Sequence, residues 1–183
     1  GKTVHINYFL VDGAAYLVDL PGYGYAKVPK AEKDRWARLM EDYFAAEGLI
    51  TLGIMIVDAR HAPTALDKVM ADWFMQSGAP FLVVANKLDK LKKSEIAPNM
   101  QRIADELGLP DVCHVLPFSA QKGDGRTALV ELIEQAAQGQ REFPAAGRED
   151  VFQRVLVGLA PGAQLGVGLM QLGEILLQGL DGL

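Results

Sequence analysis

Three short runs carry the side chains whose types and spacing could do chemistry: Asp19-Leu20-Pro21-Gly22, Asn86-Lys87-Leu88-Asp89 and Phe118-Ser119-Ala120. In the second run, a carboxylate can accept two hydrogen bonds from the N1–H and 2-amino group of guanine, a donor pair that adenine lacks. Asp89 would therefore select the base. Asn86 can meet the purine and brace neighbouring loops, while the stem of Lys87 can lie over it. In the first run, Asp19 can hold Mg²⁺ through water, and Gly22 can offer its backbone N–H to a terminal phosphate.

Each run alone has a plainer reading. NKLD can be a solvated loop after a strand, and the first run a tight turn that needs Gly22 and Gly24 for backbone freedom. Order and spacing favour one shared guanine-nucleotide site: Asn86 lies 67 residues after Asp19, and Ser119 a further 33 along. Asp89 at the base-reading position also disfavours an ATP-dependent kinase. Gly1-Lys2-Thr3 looks like the end of a GxxxxGK[ST] phosphate loop, but a helix must open directly after that lysine. The strand-like VHINYF follows instead, so that reading is rejected. The alternative is a switch segment whose Thr3 hydroxyl ligates Mg²⁺.

The elements that must position these runs follow from hydrophobic period. VHINYFLV and AAYLVD flank Asp12-Gly13 and read as a hairpin from Val4 to Val18. Residues from about Lys30 to Glu47 read as a helix with Trp36, Leu39, Met40, Tyr43 and Phe44 on one core-facing stripe, stopped by Gly48. LITLGIMIVDA, PFLVVANKLD and VCHVLPFSA are nearly continuous apolar runs, as strands covered on both faces should be. Between them lie a helix that Thr64 can cap and that runs to about Ser77, and another from about Ser94 to Leu107. The latter must start late or kink at Pro98. A last helix is predicted from about Gly125 to Gln138. Such alternation implies a mainly parallel sheet, whose ligands bind at the C-terminal strand ends. All three polar runs fall there.

Smaller features have bland explanations. Lys90-Leu91-Lys92-Lys93 reads as a solvated loop that could touch RNA phosphates. Arg60 and His61 read as strand-end hydrogen-bonding groups in preference to a partner surface, and Cys113 as a small buried hydrophobe inside a strand.

The chain has 183 residues, half of them hydrophobic, enough for one domain with a sizeable core. Its net charge of −5 argues against coating bare nucleic acid through overall positive charge. One cysteine excludes a disulfide scaffold and an all-cysteine zinc site, and three scattered histidines add no ligand spacing. No secretory leader or membrane span is read, and a cytoplasmic setting is expected. From residue 140 the character changes: residues 140–183 hold eight of the 19 glycines and nine leucines. Leu165, Leu169, Leu172, Leu176 and Leu180 recur at helical spacing, interrupted by glycines. This stretch is expected to be a tail of unknown use that docks on the domain, binds a partner or belongs to a truncated next domain.

GKTVHINYFLV, DLPGYGYAKV, VDARHAPTALD, NKLD and FSA together resemble the EngB (YihA/YsxC) family of bacterial GTP-binding proteins over roughly residues 1–138. The resemblance implies an α/β P-loop NTPase domain, small-GTPase-like, three-layered and mainly parallel, at residues 1–139. The family's first strand, phosphate loop and first helix would precede Gly1, so the expected domain lacks them, and its sheet should be left with unpaired edges where that strand would lie. Carried over by position, Gly1, Lys2, Thr3, Val4 and His5 would be the first switch, with Thr3 a magnesium ligand. Asp19, Leu20, Pro21 and Gly22 would lie by the γ-phosphate and metal. Asn86, Lys87, Leu88 and Asp89 would read guanine, and Phe118, Ser119 and Ala120 would close over the base. The resemblance further implies GTP or GDP as ligand, Mg²⁺ as cofactor, hydrolysis of GTP, and a monomer. It also implies a role in assembling the large ribosomal subunit, with ribosomal RNA and proteins as partners, and links to cell division and septation. Many small GTPases place a water-orienting glutamine after the glycine of the first run. Tyr23 stands there, so slow intrinsic hydrolysis is expected and no catalytic side chain is assigned. The competing expectation is a nucleotide-free domain that keeps only a ribosome- or protein-binding surface.

Overall fold

Alternating β-formers make the first two strands, Asn7–Val11 (β1) and Ala15–Asp19 (β2), an antiparallel pair with Asn7 opposite Asp19 and Val11 opposite Ala15. The computed structural model describes residues 6–11, 15–21, 30–46, 48–139 and the strand 154–159. Four helices follow the hairpin: α1 (Lys30–Ala45), α2 (Ala65–Ser77), α3 (Lys93–Glu106) and α4 (Arg126–Gly139). They alternate with strands β3 (Leu52–Asp58), β4 (Phe81–Asn86) and β5 (Val115–Pro117), and β6 (Arg154–Leu159) comes last in the chain.

Local chemistry sets the boundaries. Thr64 accepts from the backbone N–H of Asp67, and the Asp67 carboxylate accepts in return from the N–H of Thr64, a reciprocal cap on α2. Gly78 ends that helix at φ 68°, a left-handed value that L side chains resist. Helix α3 neither starts late nor waits for Pro98. It opens at Lys93 and carries Pro98 inside. Pro98 lies on the exposed face, where water can replace the helical hydrogen bond that proline cannot donate.

The strands form one six-stranded sheet in the order β1-β2-β6-β3-β4-β5, parallel throughout except for the β1–β2 pair. Unpaired edges were expected where a central strand would be missing, and that expectation fails. Strand β6 fills the position, with Asp19 opposite Gly158 on one side and Leu52 opposite Leu156 on the other. Its run RVLVGL, continuously apolar after Arg154, is what an interior parallel strand requires. The stretch after residue 140 thus contributes a strand to the sheet. The leucines from Leu165 onward lie outside the described residues.

Strand β3 shows the layering in its alternation. Met55 and Val57 face a core with Met40, Phe44, Met70, Phe74 and Ile103 from α1, α2 and α3, while Ile54 and Ile56 face Leu129 and Ile133 of α4. Helices therefore cover both faces of the sheet. Gly53 is required by packing: a Cβ there would overlap the Phe74 ring. Among the described residues no helix is long and apolar enough to cross a membrane. The parallel strands place Asp19, Asp58, Asn86 and the residues after Pro117 at one end of the sheet.

Candidate guanine-nucleotide site

The candidate base-reading corner is built by the ends of β4 and β5. Asn86, the last residue of β4, is buried, and its Oδ1 accepts from the backbone N–H of Lys87 at 2.7 Å and of Ala120 at 3.1 Å. That one side chain braces two loops, the role expected of it. The N–H of Leu88 reaches the carbonyl of Phe118 at 3.0 Å, a second link between the loops. Phe118 is fully buried and anchors its loop in the core beside Leu129.

Asp89 sits in a short 3₁₀ turn spanning Leu88–Lys90. The fully buried Ser119 donates its hydroxyl to Asp89 Oδ1 at 2.8 Å, and the Lys90 ammonium lies 3.1 Å from Oδ2. Burial pulls the Asp89 carboxyl upward, but the hydrogen bonds from Ser119 and Lys90 outweigh it and hold its pKa low. An ionised carboxylate has about four acceptor positions. Two are used here, which leaves acceptor capacity for the two N–H groups of a guanine edge.

Asp58, which sequence reasoning did not single out, lies at the same sheet end. It is the last residue of β3 and stands opposite Asn86 in the parallel register. Its carboxylate accepts from Arg60 Nε at 2.9 Å and Nη2 at 2.7 Å, and from Lys87 Nζ at 3.0 Å. Burial raises the Asp58 pKa, but these bonds and the Arg60 backbone N–H more than offset it, leaving the group firmly ionised. Arg60 does serve the strand end, as its position suggested. The available signal was an Asp at the end of an apolar run, two residues before an Arg.

The second corner centres on Asp19, at the end of β2. Burial raises its pKa, and a 3.5 Å hydrogen bond from the Asn7 side chain only partly opposes this. Leu20 and Pro21 are buried. Trp36, read from sequence as core, packs against Trp73 and donates its indole N–H to the carbonyl of Pro21 at 2.9 Å. It therefore tethers the loop that carries Asp19. The chemistry of Asp19 suits a hydrated cation: it is a half-buried carboxylate with one long hydrogen bond among the described residues, and a positive charge would stabilise it. Among the described residues no group of three or more His, Cys, Asp or Glu side chains gathers as a metal site. Gly1, Lys2, Thr3, Val4 and His5, together with Gly22, Tyr23 and Gly24, lie outside the described residues.

One surface expectation changes. Cys113 is neither in a strand nor buried. It lies exposed in a 3₁₀ turn over Val112–His114, where the side chain of Asp111 accepts from its backbone N–H at 2.7 Å. Asp111 and residual burial raise the thiol pKa, so a nucleophilic role is ill served. Lys90, Lys92 and Lys93 are exposed, as a solvated cluster should be, and Lys90 in addition bridges Asp89 and the Gln121 side chain.

Comparison with known proteins agrees with this arrangement. The family model for the elongation factor Tu GTP binding domain matches residues 42–139. A probable GTP-binding protein EngB of Alkaliphilus oremlandii is 39% identical over 135 residues, covering 74% of this chain and 65% of that protein. Probable EngB proteins of Thermotoga petrophila and Syntrophomonas wolfei are 40% and 42% identical, with 68% and 70% of their lengths covered. The chain thus spans about two thirds of the length of the relatives it matches. A crystal structure of a probable GTP-binding protein engB shares the fold, with TM-score 0.65, 21% identity and coverage of 75% of this chain and 84% of that one.

Proposed function

The chain belongs to the EngB family of GTP-binding proteins, and from that premise we propose that it binds GTP and GDP in the strand-end site and hydrolyses GTP to GDP and phosphate. The carrying observation is Asp89, kept ionised and aimed by Ser119 within a loop pair that Asn86 ties together. Asp89 and Asn86 read guanine, Lys87 supports the base, and Phe118, Ser119 and Ala120 form the wall behind it. Asp19 would hold Mg²⁺ through the ion's water shell, with Thr3 as the implied direct ligand. When bound, the ion neutralises phosphate charge. Leu20 and Pro21 would lead toward the γ-phosphate, with Gly22 next in sequence as the implied phosphate contact, and Trp36 holds Pro21 in place. The protein acts as a monomeric cytoplasmic timer in large-subunit assembly, with the pre-ribosome as partner and an effect on division and septation.

A second reading, a ribosome- or protein-binding module without hydrolysis, is favoured by one observation. Strand β6, next to Asp19 in the sheet, leads into residues 160–183, which contain no lysine, serine or threonine to grip phosphate or magnesium. Calorimetric titration with GDP and with ADP separates the readings. The nucleotide reading expects GDP to bind at least about 100-fold more tightly, the discrimination a hydrogen-bonding site achieves when its partners go missing. Binding of neither nucleotide supports the module.

A further inference from the structure

Asp58 has no part in the base-reading and metal roles above, yet it is the most heavily bonded carboxylate at this end of the sheet. Strand β4 ends at Asn86, and Lys87 then adopts φ 70°, the single positive φ outside glycine among the described residues. That unfavourable turn sends the chain away from the sheet, but the Lys87 side chain returns to β3, where its Nζ meets Asp58 Oδ2 at 3.0 Å. Arg60 grips the same carboxylate with two side-chain N–H groups and its backbone N–H at 3.0 Å. A lysine stem is flexible along four carbons, so an untethered Lys87 would sample many shapes. With its head fixed on Asp58, which Arg60 grips as well, the Lys87 stem has fewer shapes open to it.

We infer that Asp58 is a positioning residue for the purine: it clamps the Lys87 head so that the Lys87 stem forms the platform on which the base lies, and Arg60 holds Asp58 in place. This rests on the guanine reading of the site. A clamp on the base acts equally on ligands with and without phosphates, whereas a role in charge balance at the phosphates would not.

The test is a double-mutant cycle read by calorimetry with guanosine and with GDP. Asp58→Asn is expected to weaken both ligands alike, by about tenfold, and Asp58→Glu to recover part of the loss. In a Lys87→Met background, Asp58→Asn should change neither affinity, because the clamp has nothing left to hold. Asp58→Glu also keeps the cycle informative if the asparagine variant does not fold. Unchanged affinity in Asp58→Asn overturns the inference, as does an equal loss with and without Lys87, or a loss confined to GDP. If the unsubstituted chain binds neither guanosine nor GDP, the guanine reading itself fails and the clamp falls with it.

Discussion

The two corners of the site are built on opposite plans. At the base corner, Asn86, Lys87, Asp89 and Ser119 hold one another, and Asp58 and Asp89 each accept more than one charged or hydroxyl donor. At the Asp19 corner a half-buried carboxylate has one long hydrogen bond among the described residues, and the Pro21 carbonyl two residues on is tied to Trp36. Environment drives the two sets of carboxylates apart: burial wins at Asp19 and raises its pKa, while hydrogen bonds win at Asp58 and Asp89 and lower theirs. A preformed corner suits recognition of an invariant base. A corner short of partners suits a ligand that brings its own charge.

Strand β6 joins the two corners, since it lies between β2, which ends in Asp19, and β3, which ends in Asp58. The largest effect is therefore expected from breaking it. Val157 is paired with Val18 and Gly53, and proline in a central strand removes a ladder hydrogen bond and fits poorly on both sides. Val157→Pro should lower the unfolding free energy by about 3 kcal/mol or more, measured by urea denaturation followed by circular dichroism. An unchanged midpoint would show that the two corners stand without β6.

A smaller effect sharpens the contrast through pH. The raised pKa of Asp19 means the folded state binds that proton more tightly than the unfolded chain does. Its contribution favours folding below the ordinary value of 3.8 and is lost as pH rises through the folded pKa. Asp58 has the reverse sign: its lowered pKa contributes stability above 3.8 that is lost as pH falls toward the folded value. Asp19→Asn should therefore gain stability relative to the unsubstituted chain as pH rises from about 3 to about 6, and Asp58→Asn should lose it. Thermal midpoints across that range check both signs. Parallel behaviour of the two variants would remove the electrostatic distinction between the corners.

Much of this was legible before any coordinates. The apolar runs at 52–58 and 81–86 became buried strands because continuous hydrophobicity has few other uses in an α/β chain, and Thr64 capped its helix as its spacing with Asp67 allows. The run ending in Phe118 was harder. Only Val115–Pro117 pair as a strand, because Asp111 captures the N–H of Cys113 and turns the chain first. Strand β6 was hidden for a different reason. Which slot a short apolar run fills is decided by pairing with residues far along the chain, and Ala15 and Leu52 are distant from Arg154 in sequence. The polar runs could be proposed as a base site from sequence because the chemistry of Asp89 is specific, and the structure brings Asn86, Asp89 and Ser119 to one end of the sheet. The tether from Trp36 to Pro21 and the clamp from Asp58 to Lys87 were not readable, since both depend on side chains that meet only after the strands are placed side by side.

The proposed selection of guanine by Asp89 is tested most directly by exchanging its acceptor for a donor. In Asp89→Asn the amide N–H₂ can be turned toward the 2-carbonyl of xanthine, whereas the 2-amino group of guanine loses its charged acceptor. Calorimetric affinities of the unsubstituted chain and of Asp89→Asn for GDP and xanthosine diphosphate should reverse in order. GDP is favoured by the first and xanthosine diphosphate by the second, with GDP weakened by about 100-fold. If the asparagine variant keeps its preference for GDP, Asp89 does not read the base, and the assignment of this corner is wrong.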